Sequence, residues 1–362
     1  MSGTRSIAGA PMAIAGLDRS VVQALRRDAA VREIVRSHRR LTRDCTGVTV
    51  DRDRSTVVAC SGGADSLALL IALGTTSIPL ACVHVVHDIR PERETALDRD
   101  HAQDIAARLG VPFAQAAVSA RSPGNIESNA RRARYAALAR IARSQAAAFV
   151  ATGHHADDVL ETMLMRLSRG AGPRGLAGPR ATRRIDRAAS AVWIVRPMLS
   201  VSRADAERIC TLAGVGWRHD STNDDTALLR NAIRAKVVPV LKELAPGIER
   251  RAARSARLLD GAAQVVAARA RSILETAASS TDRHIEVDRA MLKQEPPIIV
   301  GEVIRLAALR SAAGKGMDKL ASGSIDRVVR AVRDDIGGLR TFRVGGVAVR
   351  VTRDALSMEP VR

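Results

Sequence analysis

The chain has 362 residues, with 57 Lys and Arg against 38 Asp and Glu, a formal net charge of +19. An apolar content of 46% excludes disorder throughout and, at this length, suffices for two domain cores. Four cysteines (Cys45, Cys60, Cys82, Cys210) without a C-x-x-C pair exclude a disulfide scaffold, a zinc ribbon and a Cys-ligated iron–sulfur site, and fit a reduced intracellular protein with buried thiols.

Residues 1–55 read as a basic N-terminal extension. Val21, Leu25, Ala29 and Ile34 fall at helical spacing among many Arg, which predicts one or two helices. No secretory h-region is present there, and no apolar run reaches the ~18 residues of a membrane span. From Thr56 short β-branched runs alternate with helical patterns. Strands are expected at 56–60, 80–86, 112–118, 147–152 and 192–195. Helices are expected from Ser66, over 94–109, over 126–144 and over 157–167. This βαβα alternation predicts an α/β domain over 56–240: a Rossmann-like parallel sheet with helices on both faces. Gly170–Arg184 reads as a mobile loop. Residues 241–362 read as a mostly helical second domain with a few short strands, at 284–288, 341–344 and 347–351. Pro239 is expected to bend or end the helix over 228–244.

In a parallel sheet, ligands sit at the carboxyl ends of the strands. Ser61-Gly62-Gly63-Ala64-Asp65-Ser66 follows the first strand directly and opens a helix. Two glycines let backbone N–H groups turn inward, the helix N-terminus adds positive charge, and the hydroxyls can donate to phosphate oxygens. Asp65 would repel a bare phosphate and makes sense with Mg²⁺. After the second strand comes His84-Val85-Val86-His87-Asp88-Ile89-Arg90. The long third helix opens with Asn125-Ile126-Glu127, then Ala130-Arg131-Arg132-Ala133-Arg134-Tyr135, where Arg131 and Arg134 share a face suited to phosphate. At the fourth strand end, Thr152-Gly153-His154-His155-Ala156-Asp157-Asp158-Val159-Leu160-Glu161-Thr162 sets Asp158 and Glu161 three apart. Both carboxylates can enter one cleft and bind an ammonium group or Mg²⁺. Arg169-Gly170-Ala171-Gly172-Pro173-Arg174-Gly175 is basic and Gly-rich, and Leu229-Arg230-Asn231-Ala232-Ile233-Arg234 gives a further basic face.

S-G-G-x-D-S after a first strand resembles the pyrophosphate loop of the N-type ATP pyrophosphatases, an adenine nucleotide alpha hydrolase-like fold. The later motifs, in this order over 57–240, resemble the tRNA(Ile)-lysidine synthetase family. Val86 and Asp88 depart from its pattern, 241–362 match loosely, and the extra C-terminal module of longer members is expected to be absent. The isolated cysteines set the chain apart from the related tRNA thiolases.

The resemblance implies a cytoplasmic ligase. ATP adenylates C2 of the wobble cytidine in the CAU-anticodon tRNA(Ile), and free L-lysine displaces AMP to leave lysidine. It implies ATP binding by Ser61, Gly62, Gly63, Ala64, Asp65, Ser66, His84, His87 and Arg90, with Mg²⁺ on Asp65. It implies Asp65, Arg134, Asp158 and Glu161 as catalytic residues and Asp158 and Glu161 as the lysine site. RNA contacts are implied at Arg131, Arg169, Arg174, Arg230 and Arg234, with 241–362 binding tRNA, and a homodimer is compatible with the family.

Overall fold

A computed structural model describes residue 14 and residues 16–87, 92–119, 126–185, 191–218, 229–276, 278–280, 284–311, 322–334 and 338–361. Two compact units divide it: residues 1–165 with 178–254, and residues 166–177 with 255–362.

The first unit opens with α1 (Arg19–Arg27) and α2 (Ala29–Thr46). Asp28 caps α2, its carboxylate accepting from the N–H groups of Ala30 and Val31, and Gly47 ends it at φ 76°. Leu25, Val31, Ile34 and Leu41 are buried in the core of the unit. Residues 19–46 are therefore part of this unit and not a leader standing apart from it. The apolar stripe read from the sequence is the buried face of both helices.

The sheet follows with β1 (Thr56–Ala59), α3 (Ala64–Gly74), β2 (Leu80–His87), α4 (Glu92–Leu109), β3 (Phe113–Val118), α5 (Ile126–Ser144), β4 (Phe149–Ala151) and α6 (Ala156–Leu167). After α7 (Pro173–Leu176) come β5 (Thr182–Arg184), β6 (Trp193–Val195) and α8 (Arg203–Leu212). The strand order is β3-β2-β1-β4-β6-β5, parallel except that β5 runs antiparallel to β6. Thr56 of β1 pairs with Leu80 on one side and Phe149 on the other. The chain thus moves outward from β1 through β2 to β3, then returns to β1's other flank at β4. That reversal opens a crevice between the carboxyl ends of β1 and β4.

Alternate strand residues feed two cores, which is the expected covering of both faces. Val58, Cys82, Phe149 and Ala151 pack with α3 and α8, while Val57, Val83 and Val150 pack with α5. Helix α3 is apolar all round, and Leu67, Leu69, Leu70, Ile71 and Leu73 are fully buried. Each such side chain contributes ~1.5–3 kcal/mol. The helix that carries the Gly-rich loop is therefore among the most firmly held elements of the unit.

Gly170–Arg184, expected as a loop, contains α7 and β5. Further along, α9 (Leu229–Ala232) passes through a π-helical turn at Ile233–Val237 into α10 (Val238–Leu244). The irregularity ends beside Pro239, which lacks the N–H needed to continue an i−4 ladder.

Helix α11 (Ile248–Thr276) continues into the second unit. There β7 (Ala278–Ser280), β8 (Ile285–Asp288), α12 (Arg289–Gln294), α13 (Pro297–Ser311), α14 (Ser322–Arg333), β9 (Arg340–Val344), β10 (Val347–Val351) and β11 (Ala355–Pro360) build a five-stranded antiparallel sheet, ordered β7-β8-β11-β10-β9. Its helices pack through Val303, Ile304, Val328 and Val332 onto Val349 and Leu356. The strands β7 and β11 were not expected. Ala355–Pro360 carries Ser, Glu and Pro among its apolar residues, so no continuous β-branched run marks it.

Candidate functional site

The loop after β1 is shaped by glycine and closed by serine. Gly62 lies at φ +87°, and a Cβ there would stand 3.2 Å from the Asp98 carbonyl oxygen. The positive φ favours glycine, and the nearby carbonyl leaves a Cβ little room. The Ser66 hydroxyl accepts from the Ser61 N–H at 3.1 Å, donates to the Gly63 carbonyl at 3.0 Å and lies 3.3 Å from the Ser61 hydroxyl. This ties the loop into a ring at the start of α3. No side chain caps that helix. The result is a cradle for an anion at a helix N-terminus.

Asp65 stands in the mouth of this cradle. Its Oδ2 lies 3.4 Å from His155 Nε2, while its buried Oδ1 has no hydrogen-bond partner. An orphaned acid oxygen beside an anion cradle fits a divalent cation shared with phosphates. Among the described residues no group of three or more His, Cys, Asp or Glu forms a protein-only metal cage. A nucleotide-borne Mg²⁺, which needs one or two protein carboxylates, fits this donor set.

The T-G-H-H segment after β4 abuts the same loop. A Cβ on Gly153 would come 2.9 Å from both the carbonyl carbon and oxygen of Asp65. The two strand-end loops therefore touch backbone to backbone. His154 Nδ1 lies 2.9 Å from the Thr152 hydroxyl. Burial, with Arg196, Arg131 and Arg230 nearby, holds its imidazole down at about 3 against the pull of Asp158. His155 is the reverse case. Burial disfavours its charged form, but Asp158, Asp157 and Asp65 outweigh that and raise it well above the ordinary value. Its ring nitrogens lie 3.4 Å from Asp65, 3.5 Å from Asp157 and 3.7 Å from Asp158. One imidazolium thus serves three carboxylates. The sequence reading gave neither Gly153 nor His155 a role; the H-H doublet was visible, but its partners come from different strand ends. Asp157 is further held by the Arg203 N–H at 2.9 Å and by an ion pair with Lys242.

Asp158 and Glu161 do share one face of α6, as their spacing requires. They do not stand open. Arg230 donates to Asp158 at 2.6 Å and to Glu161 at 2.8 Å. Arg234 donates to Glu161 at 2.6 and 3.0 Å and lies 3.8 Å from Asp158. Arg230 and Arg234, expected on an RNA face, are turned onto these carboxylates. Glu161 is only 2% exposed, and a buried carboxylate requires such a counter-charge. Burial disfavours the Asp158 carboxylate, but His155, His154 and Arg230 hold its titration below the usual value.

The other expected residues are dispersed. His84 is buried on β2 with Nδ1 2.9 Å from the Cys60 carbonyl, so it props the root of the loop. His87 ends β2, but its side chain and all of Arg90 lie outside the described residues. Arg131 and Arg134 are exposed on α5. Arg131 and Arg183 stack on the Tyr135 ring at 5.2 and 5.0 Å. In the second unit Arg169 is exposed, and Arg174 pairs with Glu302 at 3.0 Å.

The family profile of the PP-loop domain matches residues 32–241. A tRNA(Ile)-lysidine synthase of Symbiobacterium thermophilum is 34% identical over 72% of this chain and 57% of its own. One of Salinispora arenicola is 36% identical over 80% of this chain and 88% of its own. The chain thus spans little more than half the length of the first relative and most of the second. Among solved structures, the U34-tRNA thiolase NcsA from Methanococcus maripaludis overlaps 65% of this chain and 81% of its own, with TM-score 0.49 and 19% identity. With a profile match over more than half of its length and a 36% identical relative matched over 88% of its own, the chain belongs to the PP-loop tRNA(Ile)-lysidine synthase family.

Proposed function

We propose that the chain is an ATP-dependent ligase that joins free L-lysine to C2 of the wobble cytidine in the CAU-anticodon tRNA(Ile). The observation that carries this reading is the convergence, at one crevice of the first unit, of an anion cradle and a paired-carboxylate face. An adenylating ligase of an amine needs both: one to hold a triphosphate, the other to hold an ammonium group.

The roles follow from the chemistry. The backbone of Ser61–Ala64 and the hydroxyls of Ser61 and Ser66 hold the phosphates, with His84 propping the loop. Asp65 holds Mg²⁺, which when bound neutralises phosphate charge. The cytidine O2 attacks the α-phosphorus and pyrophosphate leaves. Arg134 stabilises charge gathering on the phosphate oxygens, commonly the largest catalytic contribution. The lysine ammonium binds at Asp158 and Glu161, sharing them with Arg230 and Arg234 or displacing a guanidinium. The attacking amine adds to C2, AMP leaves with the activated oxygen, and one carboxylate takes the released proton. The second unit, with Arg169 and Arg174, contacts tRNA phosphates through charge that needs no base reading. No helix among the described residues is long and apolar enough to cross a membrane, which suits a cytoplasmic enzyme working on tRNA.

The test is AMP and pyrophosphate release by purified chain with ATP-Mg²⁺, lysine and a CAU-anticodon tRNA(Ile) transcript. AMP formation strictly dependent on both lysine and tRNA supports the ligase. Turnover with a sulfur donor in place of lysine, or tRNA binding with no ATP cleavage, overturns it.

A further inference from the structure

A second concentration of charge lies at the other end of the first unit's sheet. A cavity of ≈ 980 Å³ is lined by Arg32, Arg36, Arg39, Arg40 and Arg43 of α2, by Arg54 just before β1, and by the turn at Thr75–Ser77 that leads into β2. These segments precede β1 and β2, whereas the anion cradle follows β1. In a parallel sheet the two places are at opposite strand ends. Arg54 and Ser61 flank β1, which is four residues long, so along the chain they stand at most ~25 Å apart.

The α2 arginines recur at spacings of three and four, so they form a stripe along one face of the helix. From Arg32 to Arg43 that stripe is ~16 Å long. Among the described residues Asp51 is the one acid lining the cavity. It is taken up by Arg39, at 2.9 Å through Nε, and by Arg54 at 3.4 Å. Arg54 is itself buried, donating to the Arg39 carbonyl at 3.1 Å and the Thr42 hydroxyl at 2.5 Å, so it forms a fixed floor. Arg36 pairs with Glu33 at 3.1 Å. Arg32 and Arg40 are exposed and have no ion-pair partner among the described residues. Like charges along one helix face destabilise the fold a little and give it nothing in return. A polyanion outside the chain would offset them.

The groove's chemistry selects among polyanions. Val31 and Val35, its apolar lining, are buried, so it offers no exposed apolar anchor for a protein partner or a lipid surface. Guanidinium forks set along a helix suit successive phosphates of a nucleic-acid strand. We infer that this arginine groove is a second RNA contact, an exosite for backbone phosphates of the tRNA whose wobble base enters the crevice at the other strand end. This rests on the tRNA reading proposed above. The exosite adds affinity and orientation without touching the reacting atoms.

The experiment uses the full chain carrying Arg32→Glu and Arg40→Glu, both exposed and without ion-pair partners among the described residues. A thermal melt and ATP binding check the fold. Binding of a fluorescent tRNA(Ile) transcript is followed across a salt series, with turnover measured against tRNA concentration. The expected result is about tenfold weaker tRNA binding, a log K against log salt slope shallower by ~0.7–0.9 for each phosphate no longer neutralised, a raised KM for tRNA and an unchanged kcat. Wild-type tRNA binding with equal affinity and slope in the variant overturns the exosite and leaves the ligase reading standing. No tRNA binding by the wild type overturns the tRNA reading itself. Retained tRNA affinity with abolished binding to vesicles of phosphatidylserine and phosphatidylcholine assigns the groove to membranes and overturns it as an RNA site.

Discussion

Arg230 bridges Asp158 and Glu161, at 2.6 and 2.8 Å, from a helix some seventy residues further along the chain. The pairing ties the carboxylates of α6 to the segment around the π-helical turn. It also sets the charge a lysine ammonium meets: two carboxylates already shared with two guanidiniums. Glu161→Gln keeps the shape and removes one negative charge. The expected outcome is a KM for lysine raised at least about tenfold. A stability loss of about 2 kcal/mol should accompany it, because Arg230 and Arg234 lose a buried carboxylate but keep part of their own guanidiniums in water, which keeps the loss below the cost of breaking a fully buried pair. Urea unfolding and lysine titration of AMP release check both. An unchanged lysine KM would remove Glu161 from the amine site.

Gly153→Ala tests the contact between the two strand-end loops. The new Cβ would meet the Asp65 backbone at 2.9 Å, and backbone cannot swing aside as a side chain can. Overpacking of this kind costs ~1–3 kcal/mol. Because the atoms displaced belong to the anion cradle, the KM for ATP should rise as stability falls. A variant with wild-type melting and wild-type ATP use would show that the loops have room to separate.

These two residues show what sequence reading reaches. The cradle was legible because Ser61–Ser66 is contiguous and its role follows from a glycine turn at a helix start. The shared face of Asp158 and Glu161 was legible from helical period alone. The arginines seated on them were not. Arg230 and Arg234 read as a basic face, and only tertiary packing turns that face onto buried acids. In the same way the period of Val21, Leu25 and Ile34 marked helices, but not that their apolar side enters the core of the sheet unit. The antiparallel sheet of the second unit was half visible, since β10 is rich in Val, whereas β11 alternates Leu356 and Met358 with Ser357 and Glu359 and holds no β-branched residue.

The thiols make a third test. Cys60, Cys82 and Cys210 are buried, and Cys45 is half-buried. Burial, reinforced by Asp65 and Glu207, pushes the Cys210 thiol up to about 12, and Cys60 is raised too, by its contact with Cys82 and by burial. Reactivity requires thiolate and access. Burial raises the Cys45 thiol as well, so access decides: iodoacetamide at pH 8 on the native chain is expected to label Cys45 alone, and slowly, with the other three labelled after denaturation. Native labelling of Cys60 or Cys210, read by mass spectrometry, would mean that the cradle opens in solution.

His38 gives the fold an acid limit. Its Nε2 lies 3.1 Å from the Thr56 hydroxyl at the start of β1, and the ring meets Phe149 edge-on. Burial, then the charge of Arg54, lowers its titration from 6.5 to about 3. The folded chain keeps the ring neutral, while the unfolded chain protonates it below about 6.5. In that window the unfolded state binds the extra proton, so stability falls as pH falls, by about 1.4 kcal/mol for each pH unit, until the folded ring protonates as well. His38→Gln can keep a hydrogen bond to Thr56 and has no proton to gain. Carboxylates elsewhere titrate alike in both proteins, so the difference between their unfolding free energies isolates this group. The wild type is expected to lose stability relative to the variant from pH 6.5 down to about 3, and to run parallel to it above about pH 7. Parallel curves throughout, in urea unfolding at about pH 4.5, 5.5 and 7, would mean that the imidazole reaches water in the folded state.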